Sequence, residues 1–218
     1  MQPRRRRPAL ERFFKQYLRT ADETAFLQGV DRLYNVATLE RLLASGGRMT
    51  RRAAVLALSH LGSYSSNSAL GRALVDVDRG VRTLADTGIR WLWCRDGNRD
   101  DCQALAALIA LNVKQEYLEA VDLADELIAL TPWYAECWNQ RAIALFCLGR
   151  HAESVRDCQQ ALEINPYHFG AAAGMGQCYM ELQDHPAALE TFRRALGLFP
   201  DLEGVRAQVQ YLQRQLKR

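Results

Sequence analysis

The sequence predicts an all-α protein built as a helical solenoid, and three observations support this prediction. Pro132, Pro166 and Pro200 are spaced 34 residues apart, and a fixed period of roughly 20 to 50 residues is typical of repeat proteins. Small or apolar side chains recur in the same register before each proline. Elsewhere, apolar residues follow the spacing of an α-helix rather than the alternation of a strand.

Composition narrows the class of protein. The chain has 218 residues, of which 49% are hydrophobic and 24% charged, as in globular proteins. It has no apolar run long enough for a membrane span and no apolar stretch typical of a secretory signal near its N-terminus. We therefore expect a cytoplasmic protein with no membrane association. The six cysteines lack metal-site spacing, so we expect reduced packing cysteines, no metal and no other cofactor.

Charge is distributed unevenly along the chain. Residues 1–100 contain 18 basic and 10 acidic side chains, whereas residues 101–218 contain 10 basic and 15 acidic side chains. Such an asymmetry can mark two modules with different surfaces. We expect the basic half to comprise residues 1–29, a basic tail with an amphipathic helix from Ala9 to Gln28, and residues 30–97, which contain two helical pairs.

Residues 101–202 divide into three units of 34 residues, 101–134, 135–168 and 169–202, followed by a terminal helix in 203–218. Position 20 of each unit is small, and position 24 is apolar. Each proline is expected to end the second helix of its unit, because proline cannot continue a helix. The terminal helix is predicted from one apolar stripe, which consists of Val205, Val209, Leu212 and Leu216.

These units resemble the tetratricopeptide repeat family, whose members are built from 34-residue helix–turn–helix units. The third unit matches the family pattern best, with Gly176, Tyr179, Ala188, Phe192, Ala195 and Pro200 at signature positions. The second unit departs from it, because Arg141-Ala142 stands where Leu-Gly is usual. The resemblance implies a right-handed superhelix of stacked helical pairs.

A second resemblance concerns residues 30–97. The segment Asp78-x-x-Val81-Arg82-x-x-Ala85 is similar to the second helix of HEAT repeats, in which the Asp and Arg fix the turn between paired helices. The related segment around Arg51 has no aspartate at the corresponding position. HEAT-like pairs are therefore expected here, with plain helical hairpins as the alternative. The short junction at Asp96-Gly97-Asn98 predicts that both halves stack as one superhelix.

The tetratricopeptide resemblance also implies a concave groove lined by the first helix of each unit. Its side chains would be Leu105, Ile109, Asn112, Asn139, Ile143, Phe146, Ala173, Gln177 and Met180. The apolar members could bury side chains of a bound peptide or helix, and the amides could bond to its backbone. Alternatively, these residues pack against the chain's own helices. Leu105, Ala173 and Gln177 argue against the carboxylate clamp by which co-chaperone members of the family bind chaperone tails.

A non-catalytic adaptor that binds a protein or peptide partner is the predicted function. No phosphate-binding loop, nucleophile elbow or zinc-protease motif occurs in the sequence, so we do not expect an enzyme. A nucleic-acid-associated protein is the first alternative, because several arginines could contact phosphates; they are Arg4, Arg5, Arg6, Arg7, Arg48, Arg51 and Arg52. A structural subunit of a larger assembly is the second, and self-association through Trp91 and Trp93 is possible.

Overall fold

The computed structural model describes residues 8–216, and over this range the regular secondary structure is helical, with thirteen α-helices, one short 3₁₀ turn and no strand. The chain divides into two compact units, residues 1–92 and residues 93–218. The helices of the first unit are α1 (Ala9–Thr20), α2 (Glu23–Asp31), α3 (Val36–Ser45), α4 (Arg48–Leu61), α5 (Asn67–Ala73) and α6 (Arg79–Trp93). The remaining helices are α7 (Arg99–Lys114), α8 (Tyr117–Leu130), α9 (Ala135–Cys147), α10 (His151–Ile164), α11 (Phe169–Glu181), α12 (His185–Leu198) and α13 (Glu203–Gln215).

The N-terminal amphipathic segment is broken, and the prediction of one helix from Ala9 to Gln28 was therefore wrong. Ala21 adopts a left-handed conformation with φ of 54°, which ends α1. Asp22 then caps α2, because its carboxylate accepts a hydrogen bond from the backbone N–H of Ala25 at 2.9 Å. Apolar periodicity continues across the break, so periodicity alone does not reveal it. The apolar face of α1 is buried through Leu10 and Phe14.

The helical pairs of the first unit pack around an alanine-rich α4. Helices α3 and α4 pack against each other, and the side chains of Ala53, Ala54 and Ala57 are fully buried. Close approach extends to Gly88 on α6, where an added Cβ atom would lie 1.8 Å from the Ser59 hydroxyl oxygen. Small side chains therefore set the distance between α4 and α6.

The second unit consists of three antiparallel helix pairs, α7–α8, α9–α10 and α11–α12, with α13 packed on the last pair. The second helix of each pair ends two residues before Pro132, Pro166 or Pro200, because the residue that precedes a proline is disfavoured in helical conformation. Between the two helices of each pair, one residue takes a left-handed conformation. These residues again lie 34 positions apart, and they are Gln115, Gly149 and Gln183.

Close helix packing defines the interior of the second unit. Ala120, Ala161 and Ala188 have no exposed surface, and they allow neighbouring helices to approach. Val205, Val209 and Leu212 of α13 join the core formed by α10, α11 and α12. The terminal helix thus covers the apolar side that the last pair would otherwise expose, as a capping element must in a repeat protein.

Gly176 is a critical packing position, and replacing it with alanine should destabilise the protein. A Cβ atom at Gly176 would lie 2.5 Å from the ring of the buried Phe192. Overpacking of this kind costs roughly 1–3 kcal/mol. The matched control is Gly197→Ala on α12, where an added Cβ atom meets nothing within 4 Å and should stabilise by about 0.5–1 kcal/mol. Urea unfolding of both variants measures the difference, and equal effects would contradict it.

Candidate binding surface

The first helices of the three pairs form one continuous surface of the second unit. Helix α7 packs on α9, and α9 packs on α11, whereas the second helices α8, α10 and α12 approach one another less closely. This arrangement places the first helices on the more tightly packed side of the stack. We call the solvent-facing side of α7, α9 and α11 the inner face.

Large apolar side chains are exposed on the inner face. Val113 on α7 is 77% exposed and Ile143 on α9 is 40% exposed. Ile109, Phe146 and Met180 are partly buried on the same three helices. We call these five residues the inner strip. The partly buried Ala173 and Gln177 lie beside them on α11.

Two of the predicted groove residues are buried and do not face solvent. Leu105 is 1% exposed and belongs to the core with Leu108, and Asn139 is 8% exposed. The prediction that both residues would face a ligand was therefore wrong in this conformation. The amide nitrogen of Asn139 donates a hydrogen bond of 3.0 Å to Oε1 of Glu136. The Asn139 amide nitrogen is therefore engaged in a hydrogen bond within α9.

Asn112 is also committed to internal bonds. Its amide nitrogen donates to the backbone oxygen of Gln140 at 2.9 Å and to the side-chain oxygen of Gln140 at 3.0 Å. In turn, the amide nitrogen of Gln140 donates to Oε1 of Glu136 at 2.7 Å. A chain of hydrogen bonds therefore connects α7 with the start of α9. Of the three amides predicted to contact a ligand, Gln177 is the one without a hydrogen bond identified within residues 8–216.

This chain of hydrogen bonds ends in a buried pair between Glu136 and His168. Nε2 of His168 lies 2.9 Å from Oε2 of Glu136, and Nδ1 of His168 accepts a hydrogen bond from the backbone N–H of Ala171 at 3.0 Å. Because Nδ1 acts as an acceptor, this pattern assigns the bonding proton to Nε2. Burial raises the pKa of the Glu136 carboxyl, but hydrogen bonds from His168, Gln140 and Asn139 outweigh burial and lower it overall.

Aromatic packing covers the buried pair. The ring of Trp93 stacks on His168 with a centroid distance of 4.3 Å and an interplanar angle of 16°. Trp93 also contacts Phe169, which packs against Phe199 at 5.1 Å. Since Trp93 is only 3% exposed, it is a core residue of the second unit and not a free surface for self-association.

The unusual Arg141 of the second repeat has a structural explanation. Its guanidinium group binds both carboxylate oxygens of Asp157, at 2.7 and 2.8 Å, and it also contacts Asp125. The guanidinium carbon lies 5.0 Å from the ring centre of Trp138. The side chain therefore connects α8, α9 and α10, and ion pairs replace the apolar packing that the family pattern provides here.

Two arginines of the predicted basic patch are held in ion pairs inside the first unit. Arg51 binds both carboxylate oxygens of Asp76, at 2.7 and 2.8 Å, and Arg52 binds both oxygens of Asp78, at 2.6 and 2.9 Å. The bond from Arg52 lowers the pKa of Asp78. These two arginines are thus neutralised within the first unit. Arg48 is exposed, and Arg4, Arg5, Arg6 and Arg7 lie outside the described residues.

No disulfide joins the cysteines of the described residues 8–216, and three of these cysteines are buried. Cys137, Cys158 and Cys178 belong to the interior of the second unit, whereas Cys147 is exposed at the end of α9. Burial raises the pKa of the Cys137 thiol to about 12. Within residues 8–216 there is no group of three side chains suited to a metal ion and no helix long and apolar enough to cross a membrane.

Comparisons with known proteins agree with this geometry. Residues 145–216 match the tetratricopeptide repeat family model. A TPR repeat-containing protein of Rhizobium etli is 37% identical over 97 residues, which cover 44% of this chain and 48% of that protein. The WD and tetratricopeptide repeats protein 1 of Mus musculus is 30% identical over 90 residues, which cover 40% of this chain and 13% of that protein.

Solved structures show the same fold over about half of the chain. The first TPR of Spaghetti (RPAP3), bound to the HSP90 peptide SRMEEVD, has a TM-score of 0.54 and 20% identity, and the match covers 56% of this chain and 97% of that chain. The Sgt2 TPR domain from Aspergillus fumigatus has a TM-score of 0.52 and 17% identity, covering 55% and 81%. The chain therefore contains an all-helical fold of the tetratricopeptide type. Its matched region spans at most about half the length of the two curated relatives.

Removing the charge of Glu136 should destabilise the protein in a pH-dependent way. Glu136→Gln places an amide NH₂ group against hydrogen-bond donors, and one unsatisfied buried group costs about 1–3 kcal/mol. The ionised carboxylate stabilises the fold above its unfolded-state pKa, because its pKa is lowered in the folded state. That contribution disappears as pH falls through the folded-state value. The gap in unfolding free energy between wild type and Glu136→Gln should therefore shrink on acidification.

Urea unfolding from neutral to acidic pH provides this measurement. Glu119→Gln is the matched control, because Glu119 is exposed on α8 and its replacement should have little effect at any pH. A gap for Glu136→Gln that stays constant with pH would contradict an ionised Glu136 held by these hydrogen bonds.

Arg51 and Arg52 should affect stability rather than nucleic-acid binding. Replacing either one with alanine leaves a partly buried carboxylate without its bidentate partner, which should cost about 1–3 kcal/mol. The exposed Arg48→Ala variant should change stability by less than about 0.5 kcal/mol. Thermal unfolding tests this order, and retention on heparin at low salt tests binding. Arg51→Ala and Arg52→Ala variants with native stability and reduced retention would restore the basic-patch hypothesis.

Proposed function

We propose that this protein is a non-catalytic adaptor that binds a segment of a partner protein on the inner face of its second unit. The exposure of Val113 and Ile143 is the observation that carries this proposal. These two side chains are exposed on successive first helices, whereas other exposed large apolar side chains of this unit, such as Leu118, Leu130 and Tyr211, lie on α8 or α13. Exposed apolar surface of this kind typically marks a site of protein association.

The relatives support binding of proteins as the general activity. One structural neighbour is described as bound to the HSP90 peptide SRMEEVD, and a Hsp70-Hsp90 organizing protein of Glycine max is 27% identical over 103 residues. That peptide is acidic. The groove residues that the family resemblance implies for this chain include no lysine or arginine. We therefore propose a different partner, held mainly by apolar contacts.

The alternatives receive less support. Nucleic-acid binding through the first unit is less favoured, because Arg51 and Arg52 form internal ion pairs with Asp76 and Asp78. Of the two tryptophans predicted for self-association, Trp91 is 52% exposed and contacts His60, whereas Trp93 is buried. A role as a subunit of a larger assembly is compatible with the same inner face. We propose a cytoplasmic location on the basis of composition.

HEAT-like pairing is our proposal for residues 30–97. Its support is the Asp78 carboxylate, which accepts a hydrogen bond from the backbone N–H of Val81 at the start of α6 and also binds Arg52 of the preceding helical pair. A carboxylate in this position fixes the start of a second helix and joins successive pairs.

Ile143→Glu tests the inner face directly. A carboxylate at this position should weaken partner capture at least tenfold, because burying it against an apolar ligand is unfavourable. The matched control is Leu130→Glu on α8, where the wild-type side chain is 79% exposed but lies on a second helix. Quantitative affinity capture from the native host's lysate, with nuclease treatment, compares the two variants with wild type at low and high salt.

The adaptor hypothesis requires a protein partner that survives nuclease and is lost in Ile143→Glu alone. Circular dichroism confirms that both variants keep the wild-type helical content. Equal capture by Ile143→Glu and wild type would refute the inner face as the site. Recovery of nucleic acid that disappears at high salt would favour the alternative function.

A further inference from the structure

Helix α8 carries three exposed carboxylates on one face. Glu119, Asp122 and Glu126 follow the i, i+3, i+7 spacing that aligns side chains along one side of a helix, and all three are exposed. Tyr117–Leu130 contains no lysine or arginine. Within residues 8–216, none of the three forms an ion pair or a side-chain hydrogen bond. We call these residues the acidic row.

The repeat fold itself does not require the acidic row. At the equivalent positions, α10 and α12 combine acidic, basic and uncharged side chains, which are Glu153, Arg156 and Gln160 on α10, and Ala187, Glu190 and Arg194 on α12. The stacking of paired helices is therefore compatible with other charges at these positions. The carboxylates of α8 are a property of this one helix.

Cations close to α8 are engaged elsewhere. Arg141 binds two aspartates, and Arg150 and Arg156 both contact Glu153. The exposed Lys114 precedes α8 and is followed by an exposed glutamate in the same turn. The acidic row therefore presents its three negative charges to solvent.

Helix α1 carries the opposite charge at the same spacing. Arg12, Lys15 and Arg19 again follow the i, i+3, i+7 pattern, and all three are exposed. Within residues 8–216, none of them pairs with a carboxylate, because Glu11, the acidic residue of this helix, instead accepts a hydrogen bond from the Thr50 hydroxyl at 2.7 Å. We call the three cations the basic row. Each row is about 10 Å long.

An exposed leucine flanks each row. Leu18 is 59% exposed and precedes Arg19, and Leu118 is 64% exposed and precedes Glu119. If the two helices pair antiparallel, each cation faces a carboxylate within one residue of register, and both leucines lie on the same side of the contact. Parallel pairing would place the leucines on opposite sides. The facing charges in the antiparallel arrangement are Arg19–Glu119, Lys15–Asp122 and Arg12–Glu126.

We propose that this protein self-associates head to tail, with the basic row of one copy bound antiparallel to the acidic row of a second copy. Charge complementarity sets the register of the contact, and Leu18 and Leu118 add apolar burial. The two rows lie in different units, so every copy offers one of each. A contact between two different surfaces is heterologous and propagates into rings or open chains.

Sedimentation velocity over a concentration series measures this association. Exposed ion pairs are individually weak and are screened by salt. The average mass of the wild-type protein should therefore rise with concentration at low salt and return to that of the monomer at high salt.

Two neutralised variants divide the contact into its halves. One removes the basic row through Arg12→Gln, Lys15→Gln and Arg19→Gln, and the other removes the acidic row through Glu119→Gln, Asp122→Asn and Glu126→Gln. Each variant alone should self-associate at least tenfold more weakly than wild type. Their equimolar mixture should form a dimer with one copy of each and nothing larger, because one intact row remains on each variant.

A matched control separates the acidic row from net charge. Glu163→Gln, Glu190→Gln and Glu203→Gln together remove the same charge from exposed positions on other helices, and this variant should associate like wild type. Circular dichroism confirms that all variants keep the wild-type helical content.

Carbodiimide coupling locates the contact, because it joins a lysine amine directly to a neighbouring carboxylate. The chain has three lysines, Lys15, Lys114 and Lys217, so cross-links are readily assigned. In an equal mixture of isotope-labelled and unlabelled protein, mass spectrometry should find Lys15 joined to Asp122, or to Glu119 or Glu126, in products that combine both forms.

Four results would overturn the proposal. The first is a wild-type protein that remains monomeric at low salt at every concentration. The second is a mixture of neutralised variants that associates no more than either variant alone. The third is an equal loss of association in the matched control, which would assign the effect to net charge. The fourth is a set of Lys15 cross-links to the acidic row that lie within single copies only.

Discussion

The hydrogen bonds that converge on Glu136 are the interaction on which the second unit depends. The carboxylate lies 2.9 Å from His168 and accepts bonds from Asn139 and Gln140, which extends the chain of bonds to Asn112. These contacts connect three consecutive helical pairs through one buried charge. They also engage the amides of Asn112 and Asn139 in internal bonds, so these two groups do not contribute a polar surface to the inner face.

Much of the second unit could be predicted because its determinants are local and periodic. Proline spacing indicated where each second helix ends, and small residues such as Ala120 and Ala188 indicated close packing. The left-handed turns were less evident, since Gln115 and Gln183 occupy positions where glycine would be the obvious signal. Tight connections between paired helices impose this conformation despite its cost, which is roughly 1 kcal/mol for a residue with a side chain.

The candidate site was harder to predict, because exposure depends on contacts between distant segments. Arg51 and Arg52 suggested a basic surface, yet their partners Asp76 and Asp78 follow about 25 residues later and neutralise them. Asn139 suggested an exposed amide, although Glu136 lies one helical turn before it and His168, which precedes α11, closes over the same carboxylate. The sequence shows which charged and polar side chains are present. The fold determines which of them already form internal ion pairs or hydrogen bonds.

Because the helix lengths of the second unit repeat, further 34-residue units could be inserted into its stack of helical pairs. Helices α8, α10 and α12 each have 14 residues, and α9 and α11 each have 13. Because neighbouring repeats interact mainly with each other, a duplicated segment 135–168 could stack between existing pairs while α13 still closes the end. Each added copy would lengthen the inner face by about one helix spacing, near 10 Å. Under the proposed function, the number of repeats would determine the length of the partner segment that the inner face accommodates.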